Sequence, residues 1–458
     1  MMLRSIHFLA ADILLSVLIS ILSPTAQGQV LQSNVLQPLY SFKASGGYYP
    51  YSGLVEGSDG SYYGTTYQGG TSDAGTLFKI TPEGVLTTLV SFNRANGAYP
   101  SAGLLLASDG NFYGTTEFGG PNNLGTVFKM TPALILTTLV SFNGTNGSVP
   151  RAKLVEGSDG NFYGTTYQGG AKGVGSVFRM TPGGVLTTLV SFSTGSIGMN
   201  PRGGVTQGSD GNFYGTTSQS GSSGPGTVFR MTPAGSITTY HFSGSGQPSS
   251  PRGELQEGSG RNFYGTTYSG GASNYGTVFK LTSTGTLTTL VSFANTNGSY
   301  PRAGLTLGGD GNFYGTTYSG GTEDFGTIFM MTSAGALTTL FSFSNDNGRY
   351  PLGELVLGSD GNMYGTTFYG GANGVGTVFR VVPASLPTTP ADLELNLYPG
   401  LTLHGTVGGQ YQIEYTTDLT SPNWTPVTKI TLPSSPYLYV DTNAPAAANR
   451  YYRAVGLQ

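Results

Sequence analysis

One motif recurs along this chain at a nearly fixed interval. Tyr-Gly-Thr-Thr begins at Tyr63, Tyr113, Tyr163, Tyr214, Tyr264, Tyr314 and Tyr364, with spacings of 50, 50, 51, 50, 50 and 50 residues. Two further markers keep the same beat. Gly-(Thr/Ser)-(Val/Leu/Ile)-Phe begins at Gly75, Gly125, Gly175, Gly226, Gly276, Gly326 and Gly376. An aromatic-ended segment of the type Leu-Thr-Thr-Leu-Val-Ser-Phe ends at Phe42, Phe92, Phe142, Phe192, Phe242, Phe293 and Phe343. A period of this kind restricts the chain to arrays in which each unit buries its apolar faces against copies of itself.

Each unit divides into four strand candidates. In the sixth copy they are Ala303–Leu307, Asn312–Thr317, Gly326–Thr332 and Ala336–Phe343, rich in β-branched and aromatic residues. Turn signals separate them: Ser-Asp-Gly-Asn, Thr-Pro-x-Gly and Asn-Gly-x-Tyr-Pro. No segment beyond the N-terminus carries a helical period. Four strands in about 50 residues match a β-propeller blade. Solenoid rungs are shorter, and isolated four-stranded sheets would leave apolar faces wet. The ends of the array point the same way. Pro38–Phe42 is an aromatic-ended strand with no blade before it, and the last repeat lacks that strand after Gly376–Val381. Pairing the two ends would complete the last blade and remove an exposed edge. The sequence therefore predicts an all-β chain: a seven-bladed β-propeller over residues 29–383, closed by an N-terminal strand.

Composition narrows the function classes. Glycine supplies 74 of 458 residues, as an array of tight corners requires, and charged residues only 9%. With no cysteine there are no disulfides, thiolate metal sites or cysteine nucleophiles. A net charge of −3 with 20 Lys+Arg offers no basic stripe for nucleic acid. Residues 1–28 read as a signal peptide: Arg4 is the positive end, Ile13 to Leu22 the apolar stretch, and Ala26 and Gly28 the small residues before cleavage. The apolar run is too short to span a bilayer. A secreted or cell-surface protein is expected, with no transmembrane segment after signal removal.

The unit Gly-Leu-x-x-Gly-Ser-Asp-Gly-Asn-Phe-Tyr-Gly-Thr-Thr…Gly-Thr-Val-Phe-Arg-Met-Thr-Pro-x-Gly resembles the GloVer tandem repeat of exported bacterial proteins, the choice-of-anchor tandem repeat family. The resemblance runs from Pro38 to about Pro383. It implies export and varied C-terminal sorting modules, and no known chemistry. A more remote similarity connects Asp-Gly-Asn-(aromatic) and the later Gly-x-(Ile/Leu)-Thr to streptogramin-lyase-like and NHL propellers. That lyase activity depends on histidine, and the repeats contain only His241, on an outer strand. The activity is not carried over.

Residues 384–391 read as a linker, and 392–458 as a small β-sandwich of six strands: Leu393–Leu397, Leu401–Thr406, Gln410–Thr416, Val427–Leu432, Tyr437–Val440 and Tyr451–Val455. Trp424 is expected in its core.

Two loops of each repeat are expected to share one propeller face. They carry Tyr67, Tyr167, Tyr268 and Tyr318 after Thr-Thr, with Phe118 one place late and Phe368 in the last copy. Tyr49, Tyr99, Tyr300 and Tyr350 precede the loop proline, and Arg151, Arg202, Arg252 and Arg302 follow it. The functional reading is a binding platform for an extracellular glycan or cell-surface component, with tyrosines stacking and arginines gripping carboxylates. The packing reading is that these residues hold neighbouring repeats together. Tyr51, Ser101 and Leu352 break the arginine column, and Glu117 and Ser218 the tyrosine column. Asp59, Asp109, Asp159, Asp210, Asp310 and Asp360 read as turn stabilisers, because one carboxylate per turn is too few for calcium.

No metal motif, cofactor motif or Ser-His-Asp set is found, and the mature histidines, His241 and His404, fall in different domains. Glu56, Glu254, Glu257 and Glu354 lie near first strands, but nothing in the sequence pairs them. The main expectation is an exported, non-catalytic binding or cell-surface scaffold protein. The alternative is a carbohydrate-active lyase or hydrolase using carboxylates at the propeller channel.

Overall fold

A computed structural model describes residues 35–195, 197–220, 224–243, 246–382, 392–396, 400–417, 423–433, 437–439 and 451–457. The expected signal segment, 1–28, and linker, 384–391, lie outside the described residues. The described chain is all-β, with repeated four-stranded antiparallel sheets of the kind that build a β-propeller.

The first repeat shows the pattern. Val55–Glu56, Tyr62–Thr66, Thr76–Ile80 and Leu86–Ser91 pair in chain order, each antiparallel to the next. The two middle strands are buried almost throughout, because neighbouring sheets cover both faces. The outer strand alternates toward solvent. The glycine of Tyr-Gly-Thr-Thr is required by packing. A Cβ on Gly64 would lie 2.7 Å from both Leu54 Cδ2 and Phe78 Cζ, so the Phe78 ring occupies the space. Phe78 is fully buried, which contributes about 2–3 kcal/mol of apolar transfer.

Sheets are joined by contacts that recur at each step. The tyrosine of one Asn-Phe-Tyr stacks on the phenylalanine of the next: Tyr113 on Phe162, Tyr163 on Phe213 and Tyr214 on Phe263 have centroids 3.9–4.2 Å apart. The first threonine of Tyr-Gly-Thr-Thr donates to the following repeat, as Thr165 Oγ1 does to Gly203 O (3.0 Å) and Thr266 Oγ1 to Ala303 O (2.7 Å). Thr216 departs from this, its buried hydroxyl having no partner. The glycine of Gly-Thr-Val-Phe lies against the next loop proline, as Gly75 does against Pro100.

The same contacts join the last repeat to the first. Tyr364 stacks on Tyr62 at 3.9 Å, Thr366 Oγ1 donates to Ser52 O at 2.7 Å, and Gly376 lies against Pro50. Val35–Ser41 pairs antiparallel with Thr377–Val382, in a sheet completed by Met363–Thr367 and Val356–Leu357. The Phe42 amide donates to Gly376 O (2.9 Å), just as the Phe92 amide donates to Gly75 O within one repeat (2.9 Å). One core cluster contains Phe42, Tyr62, Phe78, Tyr364 and Val378.

The first strand of each repeat is shorter than expected. In the sixth copy only Thr306–Leu307 pairs, whereas the sequence predicts Ala303–Leu307. Ala303 and Gly304 instead line a central cavity, and Leu305 is buried in a core cluster with Phe313 and Phe329. The Asp turns hold as hydrogen-bonded corners: Asp159 Oδ1 accepts from the Asn161 amide (3.1 Å) and Oδ2 from the Tyr163 hydroxyl (2.9 Å).

At the C-terminus, two three-stranded antiparallel sheets share a core containing Leu403, Tyr411, Ile413, Leu432 and Ala454. Trp424 differs from expectation. It is only half-buried, with the Arg453 guanidinium 4.3 Å from its ring and Arg453 bridged to Glu414 at 2.7 Å. Stacking under a cation satisfies the indole face without taking it into the core.

Candidate active site in the central cavity

The segment after each loop proline forms the cavity wall. Three successive positions follow Pro50, Pro100, Pro150, Pro201, Pro251, Pro301 and Pro351. The first position reads Tyr51, Ser101, Arg151, Arg202, Arg252, Arg302, Leu352. The third reads Gly53, Gly103, Lys153, Gly204, Glu254, Gly304, Glu354. All these residues line one cavity of about 270 Å³. Gly204 alone is not among its lining atoms, and the Glu254 side chain covers it: a Cβ there would lie 2.6 Å from Glu254 Oε1.

The third position alternates charge with glycine for a steric reason. Glu354 lies over Gly304 in the same way, its Oε1 accepting from the Gly304 amide at 3.1 Å, and Lys153 lies beside Gly103. Each long side chain thus leans over the glycine of the preceding repeat.

Lys153 Nζ is 3.9 Å from Glu254 Oε2. The Glu254 side chain keeps 18% of its accessible surface, so it faces a narrow, wettable cavity. Burial holds its carboxyl proton most strongly. Lys153 opposes that effect, Glu354 adds to it, and hydrogen bonds from the backbone of Gly204 and Lys153 weaken it. The net result pushes the carboxyl up to about 7. Glu254 chiefly, with help from Glu354, raises the Lys153 ammonium above its ordinary value against the effect of burial. Glu254 and Glu354, unpaired in the sequence, come together with Lys153 in the structure. Lys153 was missed. Reading the repeats as columns from the proline would have shown all three in one register. Glu56 and Glu257 lie elsewhere: each accepts hydrogen bonds from a serine of the preceding repeat, Ser359 and Ser209 respectively.

The predicted arginines line the same cavity, and the predicted tyrosines, outside its lining, pack against them or against other rings. Arg151 lies 4.3 Å from the Tyr167 ring and is bridged to buried Glu117 at 3.3 Å. Arg202 lies 4.8 Å from the same ring and donates to the Tyr167 hydroxyl (3.3 Å). Arg252 lies 3.6 Å from Tyr268, and Arg302 4.1 Å from Tyr318. The other tyrosines fill the remaining space. Tyr300 stacks on Tyr268 at 5.0 Å, Tyr350 on Tyr318 at 4.7 Å, Tyr99 packs against Tyr67 at 5.2 Å, and Tyr49 stacks on Phe368 at 4.9 Å. Tyr268 is therefore held between an aromatic ring and a guanidinium. Tyr49, Tyr99, Tyr300 and Tyr350 adopt φ of 58–59°, the left-handed region, which the surrounding packing holds. Burial, then the Glu117 charge, pushes the Tyr67 hydroxyl up to about 12.

Burial, and then the charges of Arg202 and Arg302, pushes the Arg252 guanidinium down to about 10. Among the described residues, Arg202, Arg252 and Arg302 have no carboxylate partner, unlike Arg151. The described residues contain no group of three or more His, Cys, Asp or Glu that could hold a metal ion. His241 lies apart from this cavity, on the outer strand Ile237–His241.

The profile of the Gloeobacter/Verrucomicrobia repeat matches residues 29–209 and 202–394. The chain belongs to this repeat family. No curated protein sequence matches it. Solved structures similar to this Gloeobacter/Verrucomicrobia repeat protein include a lectin from Burkholderia pseudomallei, at TM-score 0.54 and 11% identity, covering 78% of this chain and 97% of that one. A protein from Bacteroides uniformis described as a candidate 6-phosphogluconolactonase has TM-score 0.49 and 17% identity, covering 83% and 97%. A gluconolactonase from Xanthomonas campestris has TM-score 0.42 and 11% identity, covering 79% and 94%. Likeness at these identities speaks to the fold.

The expectation of a non-catalytic binding or scaffold protein is corrected here. Lactonases recur among the solved structures similar to the chain. The cavity brings together Lys153, Glu254 and Glu354, residues about 100 positions apart that meet only when the repeats come together.

Proposed function

We propose that this protein is a hydrolase whose chemistry takes place in the central cavity, with Glu254 as general acid–base. The observation that carries this is the Glu254 carboxyl, pushed up to about 7 beside Lys153 and Glu354. A group poised near neutral pH can take a proton from an attacking water and return it to a leaving oxygen. The Lys153 ammonium is suited to stabilise the negative charge that develops on that oxygen. Glu354, tied to the Gly304 amide, keeps a second carboxylate in the cavity. A space of about 270 Å³ suits a small substrate.

In this reading the repeats form a seven-bladed propeller closed by Val35–Ser41. The pairing of that strand with Thr377–Val382 and the stacking of Tyr364 on Tyr62 support it. The propeller occupies residues 29–383, and residues 392–458 form a small β-sandwich module. Residues 1–28 direct export, and secreted protein should begin at Gln29.

The descriptions of the similar solved structures make aldonolactones the first substrates to assay, with aryl glycosides beside them. Glu254→Gln should lower kcat by about 10²–10⁴-fold with the fold intact. An equally active Glu254→Gln enzyme, or no turnover across both substrate sets, would end the hydrolase reading.

A further inference from the structure

Three arginines without carboxylate partners converge on the cavity that holds Glu254. Arg202, Arg252 and Arg302 follow the loop proline in three successive repeats, and all three line the cavity. Their charges interact, and Arg252 is disfavoured as a cation by its two neighbours. Like charges gathered in a half-buried wall cost folding free energy unless something offsets them. The nearby tyrosine faces give partial compensation, at 3.6 Å from Arg252 and 4.1 Å from Arg302. They leave much of the donor capacity unused: Arg252 Nε and Arg302 Nε are buried with no hydrogen-bond partner. Arg151, in the same column, also has a buried Nε without a hydrogen bond, but its charge is matched, since Glu117 replaces a tyrosine and bridges it at 3.3 Å. No acid replaces a tyrosine beside the other three.

The opposite part of this wall is different. Tyr51, Ser101 and Leu352 occupy the equivalent positions, so the positive field lies on one side. A substrate entering this cavity meets a fork of planar donors on one flank and, on the other, the neutral side chains of Tyr51, Ser101 and Leu352 beside the Glu354 carboxyl group. Planar guanidiniums match carboxylate and phosphate oxygens in bidentate fashion.

We infer that the substrate is a small organic anion, bearing a carboxylate or a phosphate monoester, whose charged end is anchored by Arg202, Arg252 and Arg302. This rests on the hydrolase reading for the word substrate; the anion site itself does not need it. The anchor orients the molecule, presenting its neutral portion to Glu254 and Lys153.

Calorimetric titration of the whole chain tests this with four probes: gluconate, glucose, glucose 6-phosphate and inorganic phosphate. At low salt, gluconate or glucose 6-phosphate should bind at least tenfold more tightly than glucose. Preference for gluconate assigns a carboxylate; preference for glucose 6-phosphate, with inorganic phosphate competing, assigns a phosphate. Arg252→Gln should weaken the preferred anion at least tenfold. Arg252→Lys should recover part of that loss, because the charge returns without the fork. Glu254→Gln should keep anion binding while losing turnover, which separates this inference from the hydrolase reading. Equal affinity for glucose and the anions, no anion binding by folded wild-type protein, or unchanged anion affinity in folded Arg252→Gln would overturn it. The wild-type comparison stands even where the arginine variants fail to fold.

Discussion

The sheets and the cavity wall obey opposite rules within the same repeat. In the sheets, most steps around the array use the same contacts, with Thr216 and Met363 as exceptions: tyrosine on the next aromatic ring, threonine to the next backbone carbonyl, glycine against the next proline. In the wall, only two or three residues inward, no two successive repeats agree at both the first and third positions after the proline. Symmetric positions hold neighbours together, and a neighbour is always a copy. Wall positions face a space that all copies share, where sevenfold identity would place seven like charges together. Departure from the repeat therefore marks the residues that face the cavity.

The comparison can be broken at its strongest point first. Deleting residues 29–43 removes the strand that pairs with Thr377–Val382 and the Phe42 contact with Phe78 at 5.2 Å. Thermal unfolding should lose its single cooperative transition, a loss of more than about 5 kcal/mol. An unchanged melting temperature would refute closure by that strand.

Gly376→Ala should follow. Its φ is 106°, and a Cβ would lie 2.5 Å from Thr367 O and 2.7 Å from Pro50 Cδ. Urea unfolding should show a loss of about 3 kcal/mol. Gly311→Ala is the control: its φ is 78° with nothing within 4 Å, so about 1 kcal/mol is expected. Equal losses would mean that backbone conformation, and not the approach of the next repeat, sets the cost.

The wall should show itself in pH dependence. The folded Glu254 carboxyl gives up its proton near 7, against an ordinary value of 4.5. The folded state therefore holds the proton more tightly than the unfolded chain does. This group's contribution to stability is fully present below about pH 4.5 and is lost as pH rises to about 7, by on the order of 3 kcal/mol. Glu254→Gln should flatten that part of the profile measured by denaturant titration. A parallel profile would place the carboxyl outside the cavity's influence.

The smallest effect tests one seam. Thr366→Val removes the donor to Ser52 O and should cost about 1 kcal/mol. Thr216→Val, at the equivalent position with an unpartnered hydroxyl, should be neutral or mildly stabilising. Equal costs would show that the threonine-to-carbonyl bond does not join the sheets.

Much of the fold was legible because repetition makes long-range contacts readable as local pattern. The unpaired Pro38–Phe42 strand and the strandless end of the last repeat pointed to each other across more than 300 positions. Strand limits were less legible: Ala303 and Gly304 have strand-like neighbours, yet they form cavity wall and lack a strand partner, while Leu305 is buried in the core. The site was half legible. The four arginines form a column after the loop proline and stand out as such, whereas Lys153, Glu254 and Glu354 sit among glycines and read as scattered charges. Their coupling depends on distances across a cavity, which no single repeat contains.

The glycine–charge alternation in the wall has a consequence in parity. Seven positions cannot alternate two kinds of residue around a closed circuit without one mismatch. Here it falls between Gly53 and Gly103, the one adjacent pair in which neither member is charged. At that seam the third position carries no side chain in either repeat, with Glu354 on one side and Lys153 on the other. An even-numbered array of the same repeat could have been uniform; an odd one must contain a defect, and the defect gives the wall a front.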